Sequence, residues 1–216
     1  MSAHQMLFAK ISFSGFSETF TSGTTTVSIP PGAAQVQVQA WGGGGGGGLT
    51  RFSKGCQVNT GGGGGSGAYV RKTLTIPSAN WGNNISYSVG TAGNGGSLPS
   101  PSTPGGNTSV SSGTFTIPTT IAAPGGLLGT DGLPGTGGSG GSPASGGDCG
   151  FNINGNAGTT GGLCAPTSPG GAARTSPPGT TPSSSGGAGG NGGTAPTAGV
   201  NNGQPGGTGL VIFTWS

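Results

Sequence analysis

The stretch GLLGTDGLPGTGGSGG, residues 126–141, places glycine at Gly126, Gly129, Gly132, Gly135, Gly138 and Gly141. A repeat of three is neither the 3.6 of an α-helix nor the 2.0 of a strand. It fits the polyproline II helix, whose rise of about 3.1 Å per residue would draw the stretch into a rod of roughly 50 Å with every glycine on one edge. Such a rod makes no hydrogen bonds within itself, and its glycines lose more conformational freedom on ordering than any other residue. Its amides need partners. Three chains wound as collagen would supply them, and so would several rods of one chain packed side by side, glycine edges inward, bonding N–H to C=O laterally.

The remaining sequence favours the second arrangement. The period recurs at Gly155, Gly158 and Gly161, in GGAGGNGGT from residue 186, and at Gly203, Gly206 and Gly209, but breaks such as SPPGTTPSSS interrupt it. Collagen requires long unbroken triplets. Interrupted runs suit a lateral lattice with reversals at the breaks.

Glycine and proline, 55 and 17 of 216 residues, make up a third of the chain, with only 4% charged residues. Disorder by composition normally accompanies high charge, so this poverty of charge favours an ordered glycine lattice. The net charge of +3 is too sparsely distributed for a nucleic-acid footprint. His4, Gln5 and Lys10 interrupt the opening MSAHQMLFAKISF, so no secretory leader is expected there, and no apolar run approaches a membrane span.

Residues 17–41 have a different texture. After threonine- and valine-rich ETFTSGTTTVSI and a turn at Pro30-Pro31-Gly32, the chain alternates Gln35, Gln37 and Gln39 with Val36, Val38 and Ala40, the pattern of a half-buried antiparallel strand. Similar short segments follow at YVRKTLTIP, NISYSVG and NTSVSSGTFTIP, and the chain closes on LVIFTW. Lys72 shares the parity of Val70 and Leu74, which places it at a sheet edge or a bend. The expected fold is all-β: an antiparallel, jelly-roll-like β-sandwich with a polyglycine II bundle inserted before the last strand. Residues 1–16 would be an attachment arm, 17–124 the sandwich with a glycine-rich loop at 42–67, 125–209 the insertion and 210–216 the closing strand. Trp41, Trp81, Phe213 and Trp215 are expected to pack in the core or at strand ends.

The order VSIPPGAAQVQVQAWGGGGGGG, GGGGGSGAYVRKTLTIP, SYSVGTAGNGG, GGNTSV and finally GGTGLVIFTWS resembles the glycine-rich domain of bacteriophage tail and tail-fibre proteins. The run-and-break organisation is similar to the polyglycine II tip adhesins of T-even-like phages, whose exposed loops meet the host surface. The resemblance spans residues 18–216. It implies a virion protein made in the host cytoplasm and released by lysis, a tail-associated or fibre-tip module for host recognition. Its implied partners are other virion proteins, further copies of itself (a trimer among the options), and a surface polysaccharide or outer-membrane protein of the host. Two alternatives are a purely architectural virion subunit and, more weakly, an ice-binding polyglycine II protein.

Catalysis is not expected, since His4 stands alone and Glu18, Asp131 and Asp148 are far apart in sequence. GxGxxG matches arise by chance in such a chain, and no cofactor is indicated. Cys56, Cys149 and Cys164 contain no CxxC pair, so no metal site is expected, and bridging of Cys149 to Cys164 is left open. The best surface candidate is LTRFSKGCQVNT, residues 49–60, which gathers Arg51, Phe52 and Lys54 between two glycine runs. An aromatic flanked by cations can stack on a sugar ring and pair with its anionic substituents. The same residues could equally cap the lattice and keep the loop soluble. Phe151 and Arg174 are further receptor-binding candidates.

Overall fold

The computed structural model describes residues 13–53, 57–132, 138, 141–142, 144–148, 152–160, 187 and 200–216. The expectations for residues 1–12, Lys54, Gly135, Phe151, Arg174 and the three cysteines lie outside them. The strands in chain order are β1 (Phe16–Phe20), β2 (Thr24–Ser28), β3 (Gln35–Trp41), β4 (Thr50–Ser53), β5 (Gln57–Asn59), β6 (Tyr69–Thr75), β7 (Asn84–Ser88), β8 (Thr108–Ser112), β9 (Ile121–Ala123), β10 (Asn152–Ile153), β11 (Val200–Asn201) and β12 (Leu210–Trp215). One 3-10 turn, Ser78–Asn80, is the helical content among the described residues. The protein is therefore all-β, and its pairings are antiparallel.

Two larger sheets run in the orders β1-β12-β3-β6-β10 and β2-β7-β8-β9. The alternation of residues 35–40 does what period two requires. Val36, Val38 and Ala40 are fully buried, and Gln35 on the opposite face is exposed. β12 lies between β1 and β3, with Phe213 opposite both Glu18 and Val38, so the last residues of the chain pair with the first strands. Both its faces are apolar for that reason. Val211, Phe213 and Trp215 enter the main core, while Leu210 joins Trp41 and Tyr69 in a small cluster on the other face. Val27, Ile85, Tyr87, Val110 and Ile121 of the second sheet complete the main core, where the Tyr87 and Phe213 rings meet edge to face at 5.9 Å. Trp81 departs from its expected place. It is 42% exposed, and its indole N–H donates to the Ala33 carbonyl at 2.9 Å, because it sits in the turn after the 3-10 segment.

Where side chains run out, the strands continue as extended glycine-rich segments bonded on several sides. Residues 42–48 prolong β3. The N–H groups of Gly42, Gly45 and Gly48 donate to Ala68, Gly65 and Gly62; those of Gly43 and Gly46 to Gly106 and Thr103; those of Gly44 and Gly47 to Gly207 and Gln204. Successive residues thus address three different neighbours. In return Gly43, Gly46 and Leu49 accept from Gly126, Gly129 and Gly132, and Gly44 and Gly47 accept from Gly93 and Gly96. A further layer adds Gly138 and Gly141 donating to Gly63 and Ser66, with Gly158 and Gly155 donating to Gly138 and Gly141 in turn.

The glycines at these contacts leave no room for a Cβ. One built on Gly126 or Gly129 would overlap the carbonyl of Gly65 or Gly62, and one on Gly138 that of Leu127. Gly46→Ala, which would drive a methyl into the Asn94 carbonyl, should cost about 3 kcal/mol or more in urea unfolding. Thr91→Ala, at an exposed position of a neighbouring segment, should stay within about 0.5 kcal/mol. Equal losses would contradict this packing.

Lys72 lies at an edge, as its parity implies. β10 reaches only Tyr69 and Val70. Beyond them Asp148 takes the place of a strand: its N–H donates to the Arg71 carbonyl at 2.8 Å, its Oδ2 accepts the Thr73 N–H at 2.9 Å, and its Oδ1 pairs with Lys72 Nζ at 3.0 Å. Burial alone would raise the pKa of this carboxyl, but the Lys72 ammonium and the Thr73 N–H outweigh it and hold it below the ordinary aspartate value. A lowered folded-state pKa means stability present above the unfolded value, about 4, and lost as pH falls through the folded one. Asp148→Asn should therefore cost up to about 1 kcal/mol at neutral pH, with the difference from wild type closing as pH falls through the lowered folded-state pKa in acid titrations of stability.

Candidate functional site

Three neighbouring segments carry the candidate site. Residues 203–209, 42–48 and 61–67 run into β12, out of β3 and into β6, and these strands are neighbours in the larger sheet. At their other ends the same segments meet β11, β4 and β5, which form a three-stranded sheet in the matching order β11-β4-β5. Each segment is seven residues long and can span up to about 25 Å when extended. The β4–β5 hairpin is thus set off from the aromatic core by the length of the lattice.

The base of the hairpin is held firmly. Leu49, Thr50 and Thr60 are all fully buried. The Leu49 N–H donates to Asp131 Oδ1 at 2.8 Å, the Leu49 carbonyl accepts from Gly132 at 3.1 Å, and Thr50 Oγ1 accepts the Gly61 N–H at 3.0 Å. Side-chain oxygens here take over where the lattice provides no carbonyl.

In register, Arg51 stands opposite Asn59 on one side and Val200 on the other, Phe52 opposite Val58, and Ser53 opposite Gln57. Arg51 and Phe52 are consecutive strand residues and so belong to opposite faces of this sheet. Gln57, Asn59 and Val200 had not been singled out from sequence. The period-two alternation in TRFS and QVN points to the first two, but the pairing of β11 with β4 joins residues far apart in the chain and leaves no local signal. Trp41 packs on Tyr69 with ring centroids 4.7 Å apart, and Trp215 donates its indole N–H to Glu18 at 2.8 Å, so both tryptophans serve the fold.

Away from the hairpin, a concavity of about 250 Å³ opens beside Lys72, Leu74, Ile117 and Pro118. Its one cation is the ammonium already paired with Asp148. No group of three potential metal ligands occurs among the described residues, and no helix among them is long and apolar enough to cross a membrane.

Residues 19–216 match a family model described as a glycine-rich domain. No curated protein matches the sequence.

If Asp131 anchors the hairpin, Asp131→Ala should loosen the Leu49 amide and speed hydrogen exchange through residues 49–60 by the equivalent of about 1–3 kcal/mol. Exchange in β3 and β12 should be unchanged. Uniform acceleration throughout the protein would instead place Asp131 in the global stability of the lattice.

Proposed function

The chain belongs to this glycine-rich domain family, and on that premise we propose that it is a bacteriophage virion component: a β-sandwich carrying a polyglycine II bundle, tail-associated or at a fibre tip, that recognises the host surface. The sandwich reading draws on the core shared by the two larger sheets. The polyglycine II reading draws on the threefold rotation of hydrogen-bond partners along residues 42–48. The role itself rests on one observation above the others, the re-emergence of three lattice segments as a separate small sheet that holds a hairpin away from the core.

A purely architectural subunit would need a lattice and surfaces for neighbours, but would gain nothing from a hairpin with a buried, bonded base. Binding requires no reaction chemistry, which agrees with the scatter of the few ionisable residues. Assembly with other virion proteins or further copies would use surfaces such as the outer edges of β1 and β2, which have no strand partner among the described residues.

The test replaces residues 52–58 by a short glycine-serine turn in the phage genome, keeping the buried Leu49, Thr50 and Thr60. Adsorption should fall at least about tenfold, the loss of one good contact, with particle yield and copy number per virion unchanged. Normal adsorption would favour the architectural reading, and absence of the protein from purified virions would remove both.

A further inference from the structure

We propose that the open edge of β2 pairs antiparallel with the same edge of a second copy of this chain, across a twofold axis at Thr26. The proposal deepens the virion reading, which already calls for further copies, and rests on it for its setting. The edges of the two larger sheets are finished differently on the two sides of the sandwich. On one side Ser145 and Ala122 of β9 exchange both backbone bonds, and Asp148 occupies the edge of β6. On the other side β1 and β2 have no strand partner beyond them among the described residues.

Which groups of β2 face outward follows from its bonds to β7. The Ile29 N–H donates to the Asn83 carbonyl at 2.8 Å and the Val89 N–H to the Gly23 carbonyl at 2.9 Å, in the register that sets Thr25 opposite Tyr87 and Val27 opposite Ile85. Odd-numbered residues therefore bond inward, and the N–H and C=O groups of Thr24, Thr26 and Ser28 point away from the sheet. The hydroxyls of Thr24 and Ser28 are engaged with Ser88 and Asn84, both at 2.8 Å, and so do not take up these backbone groups. Natural proteins guard such an edge with lysine, proline or a bulge. The sequence TTTVS has no charge and no proline, and its register runs unbroken.

The same reasoning sets β1 aside. Ser216 and Gln35 exchange bonds between β12 and β3, so the odd residues of β12 bond to β1, Phe213 to Glu18 among them, and Ser17 and Thr19 supply the outward groups. Pairing β1 with itself through those two sets Glu18 against Glu18 in the closer, non-hydrogen-bonded kind of pair, where like charges repel. β2 meets itself without conflict. With Thr26 opposite Thr26 and Thr24 opposite Ser28, every outward residue falls in a hydrogen-bonded pair, and Thr25 stands opposite Val27 on the core face. A twofold axis asks only that a surface fit itself. One register satisfies all three outward residues and brings no charges together, so the occupant is a second copy.

The experiment is analytical sedimentation of the full chain from about 1 μM to about 1 mM, with amide hydrogen exchange measured at both ends of that range. A monomer–dimer equilibrium is expected. Exchange at residues 24, 26 and 28 should slow at least about tenfold at the high concentration, while residues 25 and 27, bonded to β7, and residues 17 and 19 of β1 stay unchanged. Thr26→Pro removes only an outward N–H, which an edge strand tolerates, and Thr26→Lys sets like charges together at the axis. Each should weaken the dimer at least about tenfold with the core amides still protected, and Thr19→Pro should leave it intact. If Thr26→Pro fails to fold, Thr26→Lys decides. A chain that stays monomeric throughout, an oligomer that survives the Thr26 variants, or one lost in Thr19→Pro would overturn the proposal. So would protection of residues 24, 26 and 28 that does not depend on concentration, because the chain would then be covering its own edge. The dimer is read on the purified protein, so its failure leaves the host-recognition role standing, and failure of that role in the 52–58 replacement leaves the dimer standing.

Discussion

Lateral N–H···O=C bonds between backbones that carry no Cβ are the constraint on which the whole molecule depends. Two sheets whose facing side chains fill a core stand about 10 Å apart. Here the segments that prolong β3, β6 and β12 bond directly to those that prolong β7, β8 and β9, as in Gly43 to Gly106, Gly93 to Gly44 and Gly126 to Gly43. The two layers converge because nothing is left to hold them apart. A methyl group at Gly46 or Gly126 would reopen the gap that the bonds need closed.

The two halves are therefore stabilised by different physics. Around Phe20, Tyr87, Phe213 and Trp215 the driving force is burial of aromatic and aliphatic surface. In the lattice it is lateral pairing of amides that would otherwise be buried without partners, set against the large conformational entropy of glycine. Polar side chains appear where backbone acceptors stop: Thr108 Oγ1 serves Gly90, Asn107 Oδ1 serves Gly125, and Ser66 Oγ serves Asn156. The scarcity of charge has the same origin, because a lattice of backbones has no site for a long ionised side chain. Glu18, Lys72, Asp131 and Asp148 all lie at its margins or beyond it.

Sequence pattern carried the strands well and the lattice unevenly. Alternation at residues 35–40 and the doubly apolar LVIFTW pointed to a paired, buried position, and both segments occupy one. The period of three showed at residues 126–132 because Gly126, Gly129 and Gly132 are buried while Leu127, Thr130 and Asp131 between them are exposed and leave room for side chains. Residues 42–48 are seven glycines in a row and display no period at all, although they bond to neighbours on several sides. Their role was illegible for a physical reason: a segment enclosed all round admits glycine everywhere. At the candidate site, chemical types could be recognised, but not their grouping. Arg51 and Phe52 are adjacent in sequence and separated by the pleat, while Arg51 and Asn59 are separated in sequence and joined by register.

The continuity of β12, β3 and β6 through the lattice into β11, β4 and β5 also has a mechanical meaning. A pull applied at the hairpin acts along the segments and loads their lateral bonds in shear. Many bonds must then yield together, unlike a zipper, which opens one tooth at a time. Tension reaching residues 49–60 is carried straight into the large sheet, so segments 42–48 and 61–67 behave as tie-rods that can transmit load with no side chain larger than that of Ser66 along them.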